Sequence, residues 1–144
     1  MIGNRRALSP VIATVILVSV TIVVAVAVSY WMGGIAGLYT RFEKIEISKA
    51  YAVKETDGNF TITIELQNSG SADATINYVL LNGRPLSDVG ATINATLPLT
   101  INVGKSAPLT ITLPVSLGFQ SGTTIDLKFH SASGKDYPQM LTLP

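Results

Sequence analysis

A long uncharged stretch, Leu8–Tyr39, LSPVIATVILVSVTIVVAVAVSYWMGGIAGLY, lies near the N-terminus of this 144-residue chain. No charged side chain occurs from Ala7 through Thr40, whereas Arg6 and Arg41 stand directly at the two ends of the run. About 20 apolar residues suffice for an α-helix to span a bilayer. In lipid the backbone must satisfy its own hydrogen bonds, so helix is favoured over strand although many of these residues are β-branched. We therefore predict a hydrophobic membrane helix.

The predicted helix is longer than a bilayer requires. From Ser9 to about Tyr39 it would extend about 45 Å at 1.5 Å per residue, whereas the hydrocarbon layer is about 30 Å thick. Pro10 suits a first helical turn, because the N–H that proline lacks would be unpaired there. A flexible point where the helix joins the following domain is predicted at three glycines near its end, Gly33, Gly34 and Gly37.

The residues before the apolar run indicate export of the chain that follows it. Met1 to Arg6 is short and ends in two arginines, so this end should stay cytoplasmic. The apolar run exceeds the 7–15 residues of an ordinary secretory signal, and no small-residue cleavage pattern closes it. On hydropathy alone the segment fits a single-pass anchor with Tyr30 and Trp31 at the outer interface.

The junction between leader and helix carries a more specific pattern. Arg5-Arg6-Ala7 is followed by Leu8-Ser9-Pro10-Val11-Ile12. Over about residues 5–40 this resembles the class III signal of type IV pilin-like proteins, specifically of archaeal type IV pilins. The resemblance implies that a prepilin peptidase removes residues 1–7 by cutting between Ala7 and Leu8. Cleavage between Arg6 and Ala7 is the alternative.

The same resemblance has one departure. Bacterial type IV pilins usually carry a glutamate at the fifth mature position, and Ile12 stands there in this chain. A carboxylate at that position therefore cannot set the register between subunits. The apolar start also differs from the glycine-rich opening of archaellins, which favours an adhesive pilus over a swimming filament.

The resemblance also implies partners and a location. The precursor would sit in the lipid bilayer of the cell membrane, and the mature subunit would form a homopolymer in an extracellular pilus filament. A secretion ATPase and a membrane platform would power assembly. The residues expected to pack in the filament core are Pro10, Val11, Ile12, Val15, Ile16, Ala25 and Ala27. Two alternatives are a membrane-anchored binding protein and an archaellin or minor pilin.

Residues 41–144 have the composition of an exported β-domain. Hydrophobic and polar residues alternate with a period of two, most clearly in Phe60-Thr61-Ile62-Thr63-Ile64-Glu65-Leu66. About seven strands are predicted, near residues 45–53, 60–66, 74–81, 92–103, 109–113, 124–129 and 140–143. Turn signals such as Asp57-Gly58 and Asn82-Gly83 separate them. We predict an α+β fold in which residues 8–40 form the helix and residues 41–144 an antiparallel immunoglobulin-like β-sandwich.

The composition argues against an enzyme, a metal centre, a cofactor site or a nucleic-acid interface. There is no cysteine, His130 is the single histidine, and the acidic residues show no spacing typical of metal ligands. A net charge of +1 is too small to indicate nucleic-acid binding. No catalytic or metal-ligating residue is therefore predicted.

Two sequons occur in the predicted exported domain. They are Asn59-Phe60-Thr61 and Asn94-Ala95-Thr96, and each is a candidate for N-glycosylation. Asn59 follows the Asp57-Gly58 turn and is expected to be well exposed, whereas Asn94 falls within a predicted strand or its loop. Chance occurrence is the alternative for both sequons.

Overall fold

The computed structural model describes the backbone of residues 3–144 and the side chains of residues 8–144. The chain divides after Thr40 into two compact units. The first unit is one long apolar helix, and the second is built from antiparallel β-sheets. The fold is therefore α+β, and the division falls where the charge-free stretch ends at Arg41.

Helix α1 spans Gly3–Tyr39, 37 residues, and thus begins six residues before the expected start at Ser9. Pro10 accordingly lies inside the helix and not in its first turn. The expected start is wrong for the uncleaved chain, because residues 3–8 continue the helix toward the N-terminus at the cost of one missing backbone hydrogen bond. The side chains of Arg5, Arg6 and Ala7 lie outside the described residues.

The three glycines near the C-terminal end of α1 do not interrupt the helix. The helix passes through Gly33, Gly34 and Gly37 and ends at Tyr39, where the Thr40 amide donates to the Ala36 carbonyl at 3.0 Å. Flexibility at these glycines stays a prediction.

Nine strands and two short helical turns form the described part of the second unit. The strands are β1 (Ile45–Lys54), β2 (Phe60–Asn68), β3 (Ala74–Leu81), β4 (Arg84–Pro85), β5 (Thr92–Ile93), β6 (Leu99–Ile101), β7 (Ser106–Leu113), β8 (Thr124–Ser131) and β9 (Asp136–Thr142). Helix α2 is Leu86–Val89, and a 3₁₀ turn covers Val115–Leu117.

The strands form two sheets, and all their pairings are antiparallel. The first sheet has the order β1-β2-β7-β5, and the second has the order β4-β3-β8-β9 with β6 also paired to β3. Their inward-facing side chains belong to one continuous hydrophobic core. The two sheets therefore enclose a single core in the manner of a sandwich.

The alternation of β2 is confirmed by its burial. Phe60, Ile62, Ile64 and Leu66 are at most 2% exposed, while the threonines between them stay half-buried on the opposite face. Strand β8 repeats the pattern, with Ile125, Leu127 and Phe129 fully buried. Period-two hydrophobicity thus marks the core face of both sheets.

The single strand predicted for residues 92–103 is wrong. The segment contains β5, which pairs with β7 in the first sheet, and β6, which pairs with β3 in the second. It therefore crosses from one sheet to the other. Pro98 lies in the crossing, and because it has no N–H it cannot donate within a strand ladder.

Two turns show why the chain requires glycine there. Asn82 and Gly83 have φ of 51° and 81°, which is the backbone of a tight hairpin turn between β3 and β4. Gly70 has a different reason, since a Cβ atom at that position would lie 2.5 Å from the Phe42 carbonyl oxygen and 2.6 Å from the Lys44 nitrogen. The turn after β2 therefore packs directly against the backbone of Phe42 and Lys44, and a side chain at position 70 would not fit.

Candidate functional site: the apolar helix and the surface of the β-domain

Helix α1 exposes apolar side chains on every face. Val15, Ile16, Leu17 and Val18 are consecutive, and each is more than half exposed. Because successive residues are rotated by about 100° around a helix, four neighbours cover its whole circumference. The helix therefore has no polar face to turn toward water.

Three hydroxyl groups within α1 are bonded to the helix itself. Thr14 Oγ1 donates to the Pro10 carbonyl at 2.8 Å, Ser19 Oγ to the Val15 carbonyl at 2.7 Å, and Thr21 Oγ1 to the Leu17 carbonyl at 2.7 Å. Such bonds satisfy the hydroxyl without a partner outside the helix. These polar side chains are consequently compatible with an apolar environment.

The extent of its exposed apolar surface disfavours an aqueous environment for α1. Eighteen large apolar or aromatic side chains between Leu8 and Tyr39 are half or more exposed. At roughly 1.5 kcal/mol or more for each side chain, leaving them in water costs on the order of 30 kcal/mol. This exceeds the 5–15 kcal/mol that typically stabilises a whole protein. Exposed apolar surface of this extent favours apolar surroundings for α1.

The residues expected to pack in a filament core are all available on this surface. Pro10, Val11, Ile12, Val15, Ile16, Ala25 and Ala27 are exposed in the isolated chain. A shallow apolar groove lies between Ser19, Val20, Val23 and Val24. The groove was not predicted, although the small Ser19 between valines was its sequence signal.

Gly33 and Gly37 have a second property besides backbone freedom. They lie four residues apart and hence on one helix face, and apart from the adjacent residues and the helix's own backbone no atom lies within 4 Å of a Cβ built on either. Small residues at this spacing allow two helices to approach closely. This spacing is already visible in the sequence.

The β-domain holds the chain firmly from Phe42 onward. The Phe42 amide donates to Ser71 Oγ at 3.0 Å, and the Phe42 carbonyl accepts from the Ser71 and Ala72 amides at 2.9 and 3.1 Å. The Ser69 amide donates to the Lys44 carbonyl at 2.9 Å. Residues 42–44 are therefore part of the domain and not of a free linker.

Asn68 organises the turn that receives these residues. It is fully buried, and its Nδ2 donates to the Ala72 and Ile101 carbonyls at 2.9 Å each. Its Oδ1 accepts from the Gly70 amide at 2.9 Å. One side chain thus joins the end of β2, the following turn and β6.

Glu43 is bound from the opposite end of the chain. Lys135 Nζ donates to the Glu43 carbonyl at 2.8 Å, and Tyr137 Oη donates to Glu43 Oε1 at 3.0 Å. Partial burial, together with the adjacent Glu43 carboxylate, raises the pKa of Tyr137 to about 12. These contacts tie the entry of the β-domain to β9.

His130 has local partners that explain its presence. Its Nδ1 lies 2.6 Å from Asp136 Oδ1, and its ring stacks on Tyr78 with 4.5 Å between centroids. Among residues 8–144 no three His, Cys, Asp or Glu side chains lie together as metal ligands would. The cluster is a cross-strand contact between β3, β8 and β9.

The two sequons differ in exposure. Asn94 is exposed, whereas Asn59 is half-buried. The expectation that Asn59 is well exposed is wrong, because its side chain turns back to bond with Asp57 and with the Val115 backbone.

Comparison with known proteins adds no assignment: no protein-family model matches the chain, and no curated protein matches it. Among the described residues, one helix, Leu8–Tyr39, is long and apolar enough to cross a membrane. Length and composition alone support this finding, and a signal sequence near an N-terminus would meet the same criteria.

Proposed function

We propose that this chain is the structural subunit of an archaeal type IV pilus, which polymerises through α1 into an extracellular filament for surface adhesion. The observation that carries the proposal is the apolar surface of α1, exposed on every face between Leu8 and Tyr39. At 1.5 Å per residue this segment is about 48 Å long, against about 30 Å of hydrocarbon. In a bundle of identical helices the whole apolar length of α1 can be buried, including the part that exceeds the hydrocarbon thickness.

The position of Pro10 supports removal of the leader. In the uncleaved chain Pro10 lies in the helix interior, where proline is unfavourable by about 3 kcal/mol. After cleavage between Ala7 and Leu8 it becomes the third residue, and its missing N–H falls among the unpaired amides of the first turn. The mature helix therefore accommodates Pro10 without loss.

Removal of the leader also removes charge from the assembling end. Arg5 and Arg6 are the last charged residues before Arg41. Burying an unpaired charge among apolar helices costs several kcal/mol, so a filament core favours the shortened chain. The helix then exchanges lipid for neighbouring helices without exposure to water, and a secretion ATPase with its membrane platform drives the transfer.

We further propose that the β-domain is immunoglobulin-like. If β1, β2, β3, β5, β7, β8 and β9 are lettered A to G, the sheet orders become A-B-E-D and C-F-G. This is the strand arrangement of the constant-type immunoglobulin sandwich. Strands β4 and β6 are then additions beside strand C. Such domains would coat the filament and meet the surfaces to which it adheres.

A membrane-anchored binding protein is the second function, and the single candidate span α1 favours it. In that case the leader remains and α1 stays in lipid with its N-terminus in the cytoplasm. The two functions therefore differ in the N-terminal residue of the exported protein.

N-terminal sequencing of material sheared from the cell surface tests the proposal. We expect Leu8 as the first residue and filaments in the same material by electron microscopy. Ala7 as the first residue would support the pilin with the alternative cleavage bond. An intact Met1 without filaments would overturn the pilin and favour the anchored binding protein.

An Arg6→Gln variant, which alters the basic pair, should accumulate as uncleaved precursor, whereas Lys105→Gln in the β-domain should be processed normally.

A further inference from the structure

The side chain of Asn59 is engaged at both ends of its amide. Nδ2 donates to Asp57 Oδ2 at 2.7 Å, and Oδ1 accepts from the Val115 amide at 2.8 Å. The neighbouring Gly58 leaves little room, since a Cβ built there would lie 3.3 Å from Val115 Cγ2. Because Asn59 is half-buried and its Nδ2 lies against the Asp57 carboxylate, it offers less room for a sugar than an exposed asparagine does.

The side chain of Asn94 is held at one end. Its Oδ1 accepts from the Thr110 amide at 2.8 Å, while the Asn94 amide donates to the Thr110 carbonyl at 3.0 Å. In the part of the chain whose side chains are described, these are the bonds that fix Asn94, and neither uses Nδ2. The exposed residue therefore presents its amide nitrogen while its carbonyl oxygen stays on β7.

The surroundings of Asn94 suit a saccharide. Asn94 continues the pairing of β5 with β7 and lies at the end of a row of outward-facing residues on four neighbouring strands. One row is Tyr51, Thr63, Thr110 and Asn94, and the next is Val53, Thr61, Thr112 and Thr92. Neighbouring strands lie about 4.8 Å apart, so threonine hydroxyls form a close array that can exchange hydrogen bonds with sugar hydroxyls.

We propose that Asn94, and not Asn59, is the N-glycosylation site of this protein. The donor class is a lipid-linked phospho-oligosaccharide. A bond forms between Asn94 Nδ2 and C1 of the first sugar, while the bond from C1 to the donor phosphate breaks. The phosphate leaves with the electron pair, and the amide loses one proton. The inference rests on the proposed function only in requiring export of the β-domain.

Peptide mass mapping of the exported full-length protein tests this assignment. Chymotrypsin cleaves after Phe60 and Tyr78, so the two sequons fall on different peptides. We expect the whole sugar mass on the Asn94 peptide. Sugar on Asn59, or an unmodified Asn94 peptide, would overturn the assignment.

Variants of the sequon threonines provide matched controls, because they leave both asparagines in place. Thr96→Ala should lose the entire sugar mass, whereas Thr96→Ser retains the sequon and should keep it. Thr61→Ala should leave the sugar unchanged. Loss of sugar in Thr61→Ala with retention in Thr96→Ala would reverse the assignment.

The same sample separates this inference from the proposed function. Sugar on Asn94 in a protein that keeps Met1 and forms no filaments would sink the pilin and leave the glycosylation site intact. A bare Asn94 in filaments that begin at Leu8 would do the opposite.

Discussion

At the scale of single residues, the buried side chain of Asn68 is important for stability because it makes three hydrogen bonds to the backbone. It is the larger of the two fully buried polar side chains among the described residues, the other being Ser131. Its three hydrogen bonds satisfy two carbonyls and one amide; the bonds to Ile101 and Gly70 are buried and the bond to Ala72 is partly buried. The penalty for a buried polar group without a partner is about 1–3 kcal/mol, so this side chain matters more than its size suggests.

We therefore expect Asn68→Ala to lower the free energy of unfolding of the β-domain by about 2–5 kcal/mol. Urea denaturation of the full chain in a mild non-ionic detergent, followed by circular dichroism, measures this change. Asn77→Ala, at an exposed position of β3, is the control and should shift stability by less than about 0.5 kcal/mol. Equal effects of the two substitutions would contradict the role given to Asn68.

The raised pKa of Tyr137 predicts that the β-domain loses folding stability at alkaline pH. Its pKa is raised to about 12 in the folded protein, against about 10 for tyrosine in an unfolded chain. The unfolded state therefore loses the phenolic proton first, and the stabilising contribution declines as pH rises from about 10 through 12. Thermal midpoints measured across this range should fall more steeply for the wild-type protein than for Tyr137→Phe. Parallel curves for the two proteins would refute this contribution.

At the scale of secondary-structure elements, α1 differs from a helix that packs on one side. The hydroxyls of Thr14, Ser19 and Thr21 bond to its own backbone, and its apolar side chains cover all faces. Gly33 and Gly37, one turn apart, leave space for another backbone. The element is thus suited to be surrounded, either by lipid or by copies of itself.

A charged residue in α1 should permit membrane insertion but prevent filament assembly. One aspartate at the centre of a membrane helix costs about 2.5–3.5 kcal/mol for insertion, which the other apolar residues of α1 can offset. In a packed filament core the same charge has no partner. Val20→Asp should therefore remain in the membrane fraction but abolish filaments, as counted by electron microscopy of sheared material. Val20→Leu serves as the control and should form filaments, and normal filaments from Val20→Asp would refute a close-packed apolar core.

At the scale of the whole molecule, the chain consists of two units with opposite solvent requirements. The β-domain buries its apolar residues in one core, whereas α1 exposes its own. Phe42 is already bonded to the β-domain through Ser71 and Ala72. The exposed Arg41 is the first residue of the second unit and directly precedes this hydrogen-bonded residue.

Limited trypsin digestion should release the β-domain intact. Cleavage after Arg41 leaves residues 42–144 with all their sheet pairings, and mass spectrometry should detect this fragment first. The fragment should be soluble and keep a β-type circular dichroism spectrum. Arg41→Gln should slow its release, and aggregation of the fragment or earlier cleavage within the strands would contradict the separation into two units.

Local patterns of residues were enough to predict much of this protein. An uncharged apolar run must form a helix where no water can satisfy its backbone, and period-two alternation predicts the buried faces of β2 and β8. Asn82-Gly83 predicts a hairpin turn because both residues tolerate positive φ. Each of these inferences depends on residues close together in the chain.

Other features depend on partners that are distant in the chain and could not be predicted from local patterns. Residues 92–103 read as one strand, but β5 and β6 pair with β7 and β3 in different sheets. The turn at Asp57-Gly58 suggested an exposed Asn59, whereas the Val115 backbone, far along the chain, holds it half-buried. Asn94 is exposed, and its Oδ1 accepts from the Thr110 amide of β7. Burial and hydrogen bonding at these positions are set by strands that come together only on folding, so no local pattern encodes them.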